Sequence, residues 1–262
     1  MAFLEVDSVT LTFRGIAALV NVGFDVDKHQ IVSLIGPNGA GKTSMLNCIS
    51  GRYTPDAGTG GIRLDGNDLL GVPAHRRTAL GLSRTFQNIA LFKGLSVLDN
   101  LMVGRHTRLG YGLLAAALYW GPARRAEDRH RRRVERIIDF LDLSAYRHQL
   151  AGRLPYGVQK RVELGRALAA EPSLVLLDEP MAGMNLEETE DMARYILDIR
   201  DEWGVTVLLV EHDMGVVMDI SDSVVVLDFG SVLASGRPED VQENPDVIAA
   251  YLGTEDATFF GR

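Results

Sequence analysis

The run Gly36-Pro37-Asn38-Gly39-Ala40-Gly41-Lys42-Thr43 has the spacing G-x-x-x-x-G-K-[ST], the pattern of a loop that holds phosphate. Glycines at 36, 39 and 41 let the backbone turn back on itself with its N–H groups pointing inward, an anion nest at a helix N-terminus. Lys42 would bring a mobile positive charge to the β- and γ-phosphates, and the Thr43 hydroxyl is a hard oxygen ligand suited to Mg2+. Two carboxylates, Asp178 and Glu179, end the apolar run Leu174-Val175-Leu176-Leu177. Asp178 can hold Mg2+ through water, and Glu179 can accept a proton from an attacking water. A further apolar run, Val205 to Val210, ends in Glu211-His212-Asp213, where His212 can donate to a γ-phosphate or to the water beside it.

These groups need elements that hold them together. Ile31-Val32-Ser33-Leu34-Ile35 reads as a buried strand before the loop, and Ser44 to Ile49 continues as helix after it. Leu174 to Glu179 and Val205 to Val210 read as buried parallel strands, and in a doubly wound sheet such strand ends face the ligand. Leu4 to Asp27 alternates in short runs, which predicts antiparallel strands. Phe13 lies within them, shortly before the loop, where an aromatic ring can stack on a base. Residues 55 to 72 read as turns joining another hairpin, and Gly81 to Gln87 as a strand-like approach to a polar amide. From about 88 to 170 the spacing becomes helical, with Val97 to Met102 and Val134 to Leu143 carrying apolar residues three and four apart. This block contains Arg124-Arg125 and Arg129 to Arg133, either a solvated helix face or a contact for acidic headgroups or an acidic partner. Val224 to Leu227 and Val232 to Ala234 predict a closing hairpin, followed by a short helix from Pro238 through about Leu252.

The bulk numbers fit this plan. With 262 residues and 46% hydrophobic content the chain can bury a large core. A net charge of -8 argues against a protein whose main work is to coat nucleic acid. One cysteine, Cys48, allows no internal disulfide and fits a reducing compartment, and it reads as an inert residue in the helix after the loop. Acids replace the lysines of a signal peptide near Met1, and no apolar run reaches the roughly 18 residues needed to cross a bilayer. The longest such stretch, Leu113 to Trp120, predicts packing in a core or against a partner, and Phe259-Phe260 in the tail a docking or frayed end.

Taken together and in this order, the motifs resemble those of the nucleotide-binding subunits of ABC transporters over nearly the whole chain. By that resemblance Phe13 sits at the adenine-stacking position, Gly36 to Thr43, with Ser44 beside it, is the phosphate loop for ATP, and Gln87 is the Q-loop glutamine. Leu174 to Glu179 is the metal-binding strand with its catalytic glutamate, His212 the switch histidine, and Ala182 to Asn185 the D-loop. Leu154-Pro155-Tyr156-Gly157-Val158-Gln159 falls where the LSGGQ signature belongs. Pro155 removes the serine hydroxyl that would reach a partner's γ-phosphate, Tyr156 replaces the first glycine, and Asn185 stands at the D-loop aspartate position. Loss of one hydroxyl contact to a charged group costs roughly 1.5–3 kcal/mol. The Gly157 N–H and the positive end of the following helix remain, worth about 0.3–2 kcal/mol. Arg84 to Gln87, Leu91-Phe92, the stretch around Gly110 to Arg133, Glu211 to Met214 and Asn244 to Gly253 resemble the LivG-like branch, which serves branched-chain amino-acid importers. Relatives of that branch import amides, urea and aromatic acids, and a similar ending occurs in the lipopolysaccharide-export ATPase.

The resemblance implies an α/β P-loop NTPase core (RecA-like) with an antiparallel β subdomain and an inserted α-helical subdomain. It implies one nucleotide-binding domain over 1-253, with a core of about 1-87 and 171-253, a helical subdomain of about 88-170, and a tail from 254. ATP is the expected cofactor with Mg2+, the metal held by Thr43 and Gln87 and, through water, Asp178. Pro155, Tyr156, Gly157 and Gln159 are expected to cover ATP on a partner's loop, while Glu179, His212, Lys42 and Gln87 do the chemistry. Expected partners are two membrane permease subunits, a second LivF-like ATP-binding subunit or a second copy head to tail, and indirectly an extracytoplasmic binding protein. No nucleic acid is expected. The implied place is peripheral, on the cytoplasmic face of the inner membrane. Rival readings are a soluble ABC ATPase acting on ribosomes or DNA, which would carry two cassettes or a long coiled-coil insertion, and a non-hydrolysing ATP-dependent interaction subunit.

Overall fold

The N-terminal alternation produces two paired antiparallel strands, β1 (Leu4–Phe13) and β2 (Ile16–Val26), joined through Arg14 and Gly15, both at positive φ. Leu4, Val6, Val9 and Leu11 of one strand and Leu19, Val22 and Val26 of the other are buried in the same core, as a side-chain period near two requires. The chain then leaves this sheet as β3 (Ile31–Ile35), every residue of which is buried. It returns through β4 (Gly61–Leu64) and β5 (Asn67–Asp68), giving a four-stranded sheet of order β2-β1-β4-β5. The fold, given by a computed structural model, is described over residues 2–108 and 122–251. The apolar stretch Leu113 to Trp120 and the Phe259-Phe260 pair lie outside the described residues.

The second sheet adds β6 (Leu82–Arg84), β7 (Leu174–Asp178), β8 (Thr206–Val210), β9 (Ser223–Asp228) and β10 (Ser231–Gly236) in the order β10-β9-β3-β8-β7-β6. All pairings are parallel except β9 with β10, the expected closing hairpin. Both faces are covered. Leu174 and Leu176 enter the core shared with the antiparallel sheet, whereas Val175 and Leu177 enter the core shared with the helices. Because β3, β7 and β8 run in parallel, Gly36, Glu179 and Glu211 all follow strand ends on one edge of the sheet.

Helices cover this frame in chain order: α1 (Lys42–Ile49), α2 (Ala74–Arg77), α3 (Val97–Gly104), α4 (Pro122–Phe140), α5 (Tyr156–Ala169), α6 (Leu186–Asp201), α7 (Met214–Ile220), α8 (Pro238–Gln242) and α9 (Pro245–Tyr251). Val97, Leu101, Val134, Ile137 and Val162 of the helical block share one core with Val175 and Val207 of the sheet. Regular helix begins later than the spacing predicts, at Val97, where the Ser96 hydroxyl accepts the Asp99 N–H. Helix α4 ends at Phe140, short of Leu143, because Asp142 adopts φ 52°. The predicted helix from Pro238 through about Leu252 is two helices instead. Asn244 precedes a proline, which disfavours helical geometry there, and its side chain accepts the Asp246 N–H at 2.9 Å to start a new helix. Among the described residues no helix is long and apolar enough to cross a membrane.

Candidate functional site

The loop between β3 and α1 is shaped by glycines that nothing else can replace. Gly36 has φ 144°, and a Cβ there would lie 2.0 Å from the Leu227 carbonyl oxygen of the neighbouring strand. Gly41 has φ 107°, and a Cβ there would lie 2.8 Å from the Ala18 carbonyl oxygen of β2. Helix α1 starts at Lys42 with no side-chain cap, and the positive end of a helix suits an anion. It is anchored by Met45, Leu46, Cys48 and Ile49, all fully buried. Lys42 Nζ donates to the carbonyl oxygens of Gly36, at 2.5 Å, and Pro37, at 3.1 Å. Burial pushes the Cys48 thiol up to about 11, which makes it inert, as its place in the sequence implies.

A cavity of about 290 Å3 opens over this loop, lined by residues 38 to 44 together with Ala18, Gln87 and Glu179. The sheet thus brings the Q-loop glutamine and the second carboxylate to the phosphate loop, and Gln87 Nε2 donates to Glu179 Oε2 at 2.9 Å. Glu179 adopts φ 49°, a left-handed conformation held by its N–H bond to the Val210 carbonyl. A cavity of about 480 Å3 adjoins the first, with Thr43 and Gln87 lining both; Asp178, Asn47, Tyr53 and Arg84 line the second. The three residues predicted to hold metal therefore face one space. Asp178 Oδ1 is buried without a hydrogen-bond partner among the described residues, and the Thr43 hydroxyl and the Gln87 amide oxygen are hard donors, so this set fits Mg2+. Among the described residues no group of three His, Cys, Asp or Glu could cage a metal.

Two residues not anticipated from the sequence hold this arrangement. The Arg84 side chain is buried; its Nη2 bonds Asp178 Oδ2 at 2.8 Å, and its Nη1 bonds Asn47 Oδ1 at 2.7 Å on α1 and Ser50 Oγ at 2.9 Å at the C-cap of that helix. One guanidinium thus ties three elements that meet at the site. Lys160, on the second turn of α5, is also buried, and its ammonium donates to the backbone carbonyls of Gln87 at 3.2 Å and Glu179 at 3.1 Å. Burial lowers its pKa, opposed by the carboxylates of Glu163, Glu211, Glu179 and Asp178. Alternation along β6 gives no hint of Arg84, and Lys160 reads as one more polar residue of a helix.

Other predicted residues lie apart from the two cavities. Phe13 stands edge-on to Tyr53, with centroids 5.0 Å apart, and of the two only Tyr53 lines a cavity at the loop. His212 follows β8 and is more than half exposed; its Nδ1 lies 3.6 Å from Oε2 of Glu211. The buried Glu211 accepts the N–H groups of Met181 and His212, and its pKa is raised by burial. Pro155 is the N-cap of α5 and offers no side-chain bond. A Cβ on Gly157 would lie 2.2 Å from Glu188 Oε1, and Tyr156 lies across Gly183 of the D-loop segment. The signature holds a third departure: counted from Leu154, the fifth position is Val158, which is buried. Gln159 turns its amide back onto the Leu154 carbonyl at 2.8 Å. Asn185 caps α6 by accepting the Glu188 N–H, and Glu188 returns a bond to the Asn185 N–H.

Comparison with known proteins follows this geometry. The ABC transporter family matches residues 19–182, and the branched-chain amino acid ATP-binding cassette transporter family matches residues 231–257. The high-affinity branched-chain amino acid transport ATP-binding protein BraF of Pseudomonas aeruginosa is 44% identical over 95% of this chain and 97% of its own length. Its counterpart LivG of Escherichia coli is 40% identical over the same shares. A crystal structure of an ABC transporter's ATP-binding cassette in its ADP conformation aligns with a TM-score of 0.83 and 30% identity, covering 97% of this chain and 99% of the other.

Proposed function

This chain belongs to the ABC transporter family and is the ATP-hydrolysing subunit of an importer, and from that premise we propose that it powers uptake of branched-chain or other hydrophobic amino acids. The observation that carries the mechanism is the convergence of Gln87 and Glu179, bonded to each other, on the loop of Gly36 to Ser44. The loop amides and Lys42 bind and orient the β- and γ-phosphates. Glu179 takes the proton of a water that attacks the γ-phosphorus, the β–γ bridging bond breaks, and ADP and inorganic phosphate result. Gln87 holds Glu179 until water and nucleotide are in place. Thr43, Gln87 and, through water, Asp178 would hold Mg2+, which when bound would supply positive charge against the phosphates. Phe13 with Tyr53 supplies the aromatic surface for the adenine.

The signature residues Pro155, Tyr156, Gly157 and Gln159 line neither cavity of their own chain, which supports a head-to-tail pair in which they cover ATP on the partner's loop. The partner is a second copy or a related ATP-binding subunit, and His212 reaches the γ-phosphate as the pair closes. We assign residues of about 88-170 to a helical subdomain that moves with Gln87 and carries closure to two membrane permeases at the cytoplasmic face of the inner membrane, with an extracytoplasmic binding protein delivering cargo. Glu179→Gln tests the assignment. The variant should bind ATP as the parent does, turn over at least about a hundredfold more slowly, and accumulate as a closed dimer on size exclusion. Turnover at the parental rate would contradict the assigned base.

A further inference from the structure

Far from the phosphate loop in sequence, α4 and the ends of α3 and α5 enclose a cavity of about 610 Å3 that shares no residue with the two cavities of the nucleotide site. Five arginines and two glutamates line it, a net charge of +3 in a chain whose total is -8. We propose that this cavity is a second anion site, one that takes a phosphate group bearing more than one negative charge or presented as a lipid headgroup.

The floor of the cavity is preorganised. Glu171, at φ 52° just past α5, holds Arg105 Nη1 at 3.1 Å and Arg133 Nε at 3.2 Å. Arg105 also donates to the Ala169 carbonyl, which fixes its guanidinium against the helix end. The ion pair of Arg133 Nε with Glu171 is off the hydrogen-bonding line, and that N–H has no hydrogen-bond partner among the described residues. Arg133 lies over the ring of Trp203, 4.9 Å from its centroid, which orients the fork without neutralising it. His130 Nδ1 accepts from Arg105 at 3.0 and 3.2 Å; a guanidinium can only donate, so His130 is neutral with its proton on Nε2, one more donor. Burial and the charges of Arg105 and Arg129 lower the His130 pKa and keep it neutral.

The rim supplies the charge that the floor does not spend. Arg129, Arg132 and Arg136 are exposed and form no ion pair among the described residues, whereas Glu135, the second acid of the lining, is already paired with Arg147. Planar forks of this kind match tetrahedral oxyanions bidentately, and a chain of overall negative charge gains no such affinity from its general field. Arg131 lies beside Arg132 on the same helix, is also exposed, and does not line the cavity.

That neighbour provides the control. In a Lys42→Ala background without magnesium, binding of inorganic pyrophosphate is measured by calorimetry. In the parent chain, cosedimentation is measured with vesicles containing phosphatidylglycerol and with vesicles of phosphatidylcholine alone. Arg132→Glu and Arg136→Glu should each weaken binding about tenfold, as loss of a charge-assisted contact does, while Arg131→Glu stays within about twofold. Loss confined to pyrophosphate identifies a soluble phosphate as the ligand, loss confined to the anionic vesicles identifies a headgroup, and loss of both shows that the site reads phosphate from either source. Absence of both interactions in the parent, or equal loss in Arg131→Glu and Arg132→Glu, overturns the site.

Discussion

Replacing Arg84 by methionine keeps most of the side-chain length and removes the charge. The side chains of Arg84 and Asp178 are only 6% and 3% exposed, so the carboxylate left behind would keep its burial and lose its 2.8 Å partner. Breaking a buried pair by removing one member costs about 3–5 kcal/mol. For a chain of this size about 2–4 °C of melting temperature is lost per kcal/mol, so Arg84→Met should melt on the order of 10 °C lower. Asp178→Asn in the same background separates the pair from the cavity left by the side chain: the double variant should lose about 1–3 kcal/mol less than the two single losses together. The binding readout is independent of stability. Arg84 does not line the cavity over the phosphate loop, so Arg84→Met should retain ATP affinity in chelator within a few-fold. It should lose the added affinity conferred by magnesium, because Asp178 loses the partner that orients its carboxylate in the cavity it shares with Thr43. Melting within about one degree of the parent, or strictly additive losses in the double variant, would refute the reasoning.

Cys48 is fully buried on α1, and its thiol, pushed from 9.0 up to about 11, carries about a hundredfold less thiolate than an exposed one. A thiol reagent near neutral pH should therefore leave the native chain unlabelled and label it fully in denaturant; prompt native labelling would mean that α1 opens readily. Asn185→Ala removes the side-chain bond of the capping box, leaving the Asn185 backbone N–H to Glu188, and should cost about 1 kcal/mol of stability by thermal melting. Asn185→Asp should restore that loss, because aspartate caps as well as asparagine; a loss unrelieved by aspartate would argue against the cap.

The phosphate loop was legible because its information is covalent. Eight consecutive residues carry the turn, the nest, the lysine and the hydroxyl, and an apolar strand before them sets their direction. Asp178 and Glu179 were legible for a similar reason: four apolar residues in a row end at two acids, and such an end lies at a sheet edge. Arg84 was not, since its partners Asn47, Ser50 and Asp178 are separated from it by as many as 94 positions. Lys160 was hidden in the same way, because only tertiary packing places its ammonium against Gln87 and Glu179. The departure at Val158 and the break at Asn244-Pro245 were present in the residues; the first needed a strict count from Leu154, and the second needed the proline to outweigh the apolar spacing around it. The aromatic partner of Phe13 was illegible, since Tyr53 reaches it across the turn after α1.

Lys160 joins what the outside of the molecule can feel to what the phosphates meet. Its ammonium lies 5.8 Å from the centre of the Tyr156 ring, at the exposed start of α5, and grips the main-chain carbonyls of Gln87 and Glu179. In the proposed pair, a push on Tyr156 that rocks the helix would either carry Gln87 and Glu179 along or tear two charged bonds out of a dry interior. Keeping both bonds is the cheaper route, so in that proposed pair docking at the surface and the aim of Glu179 would move as one lever.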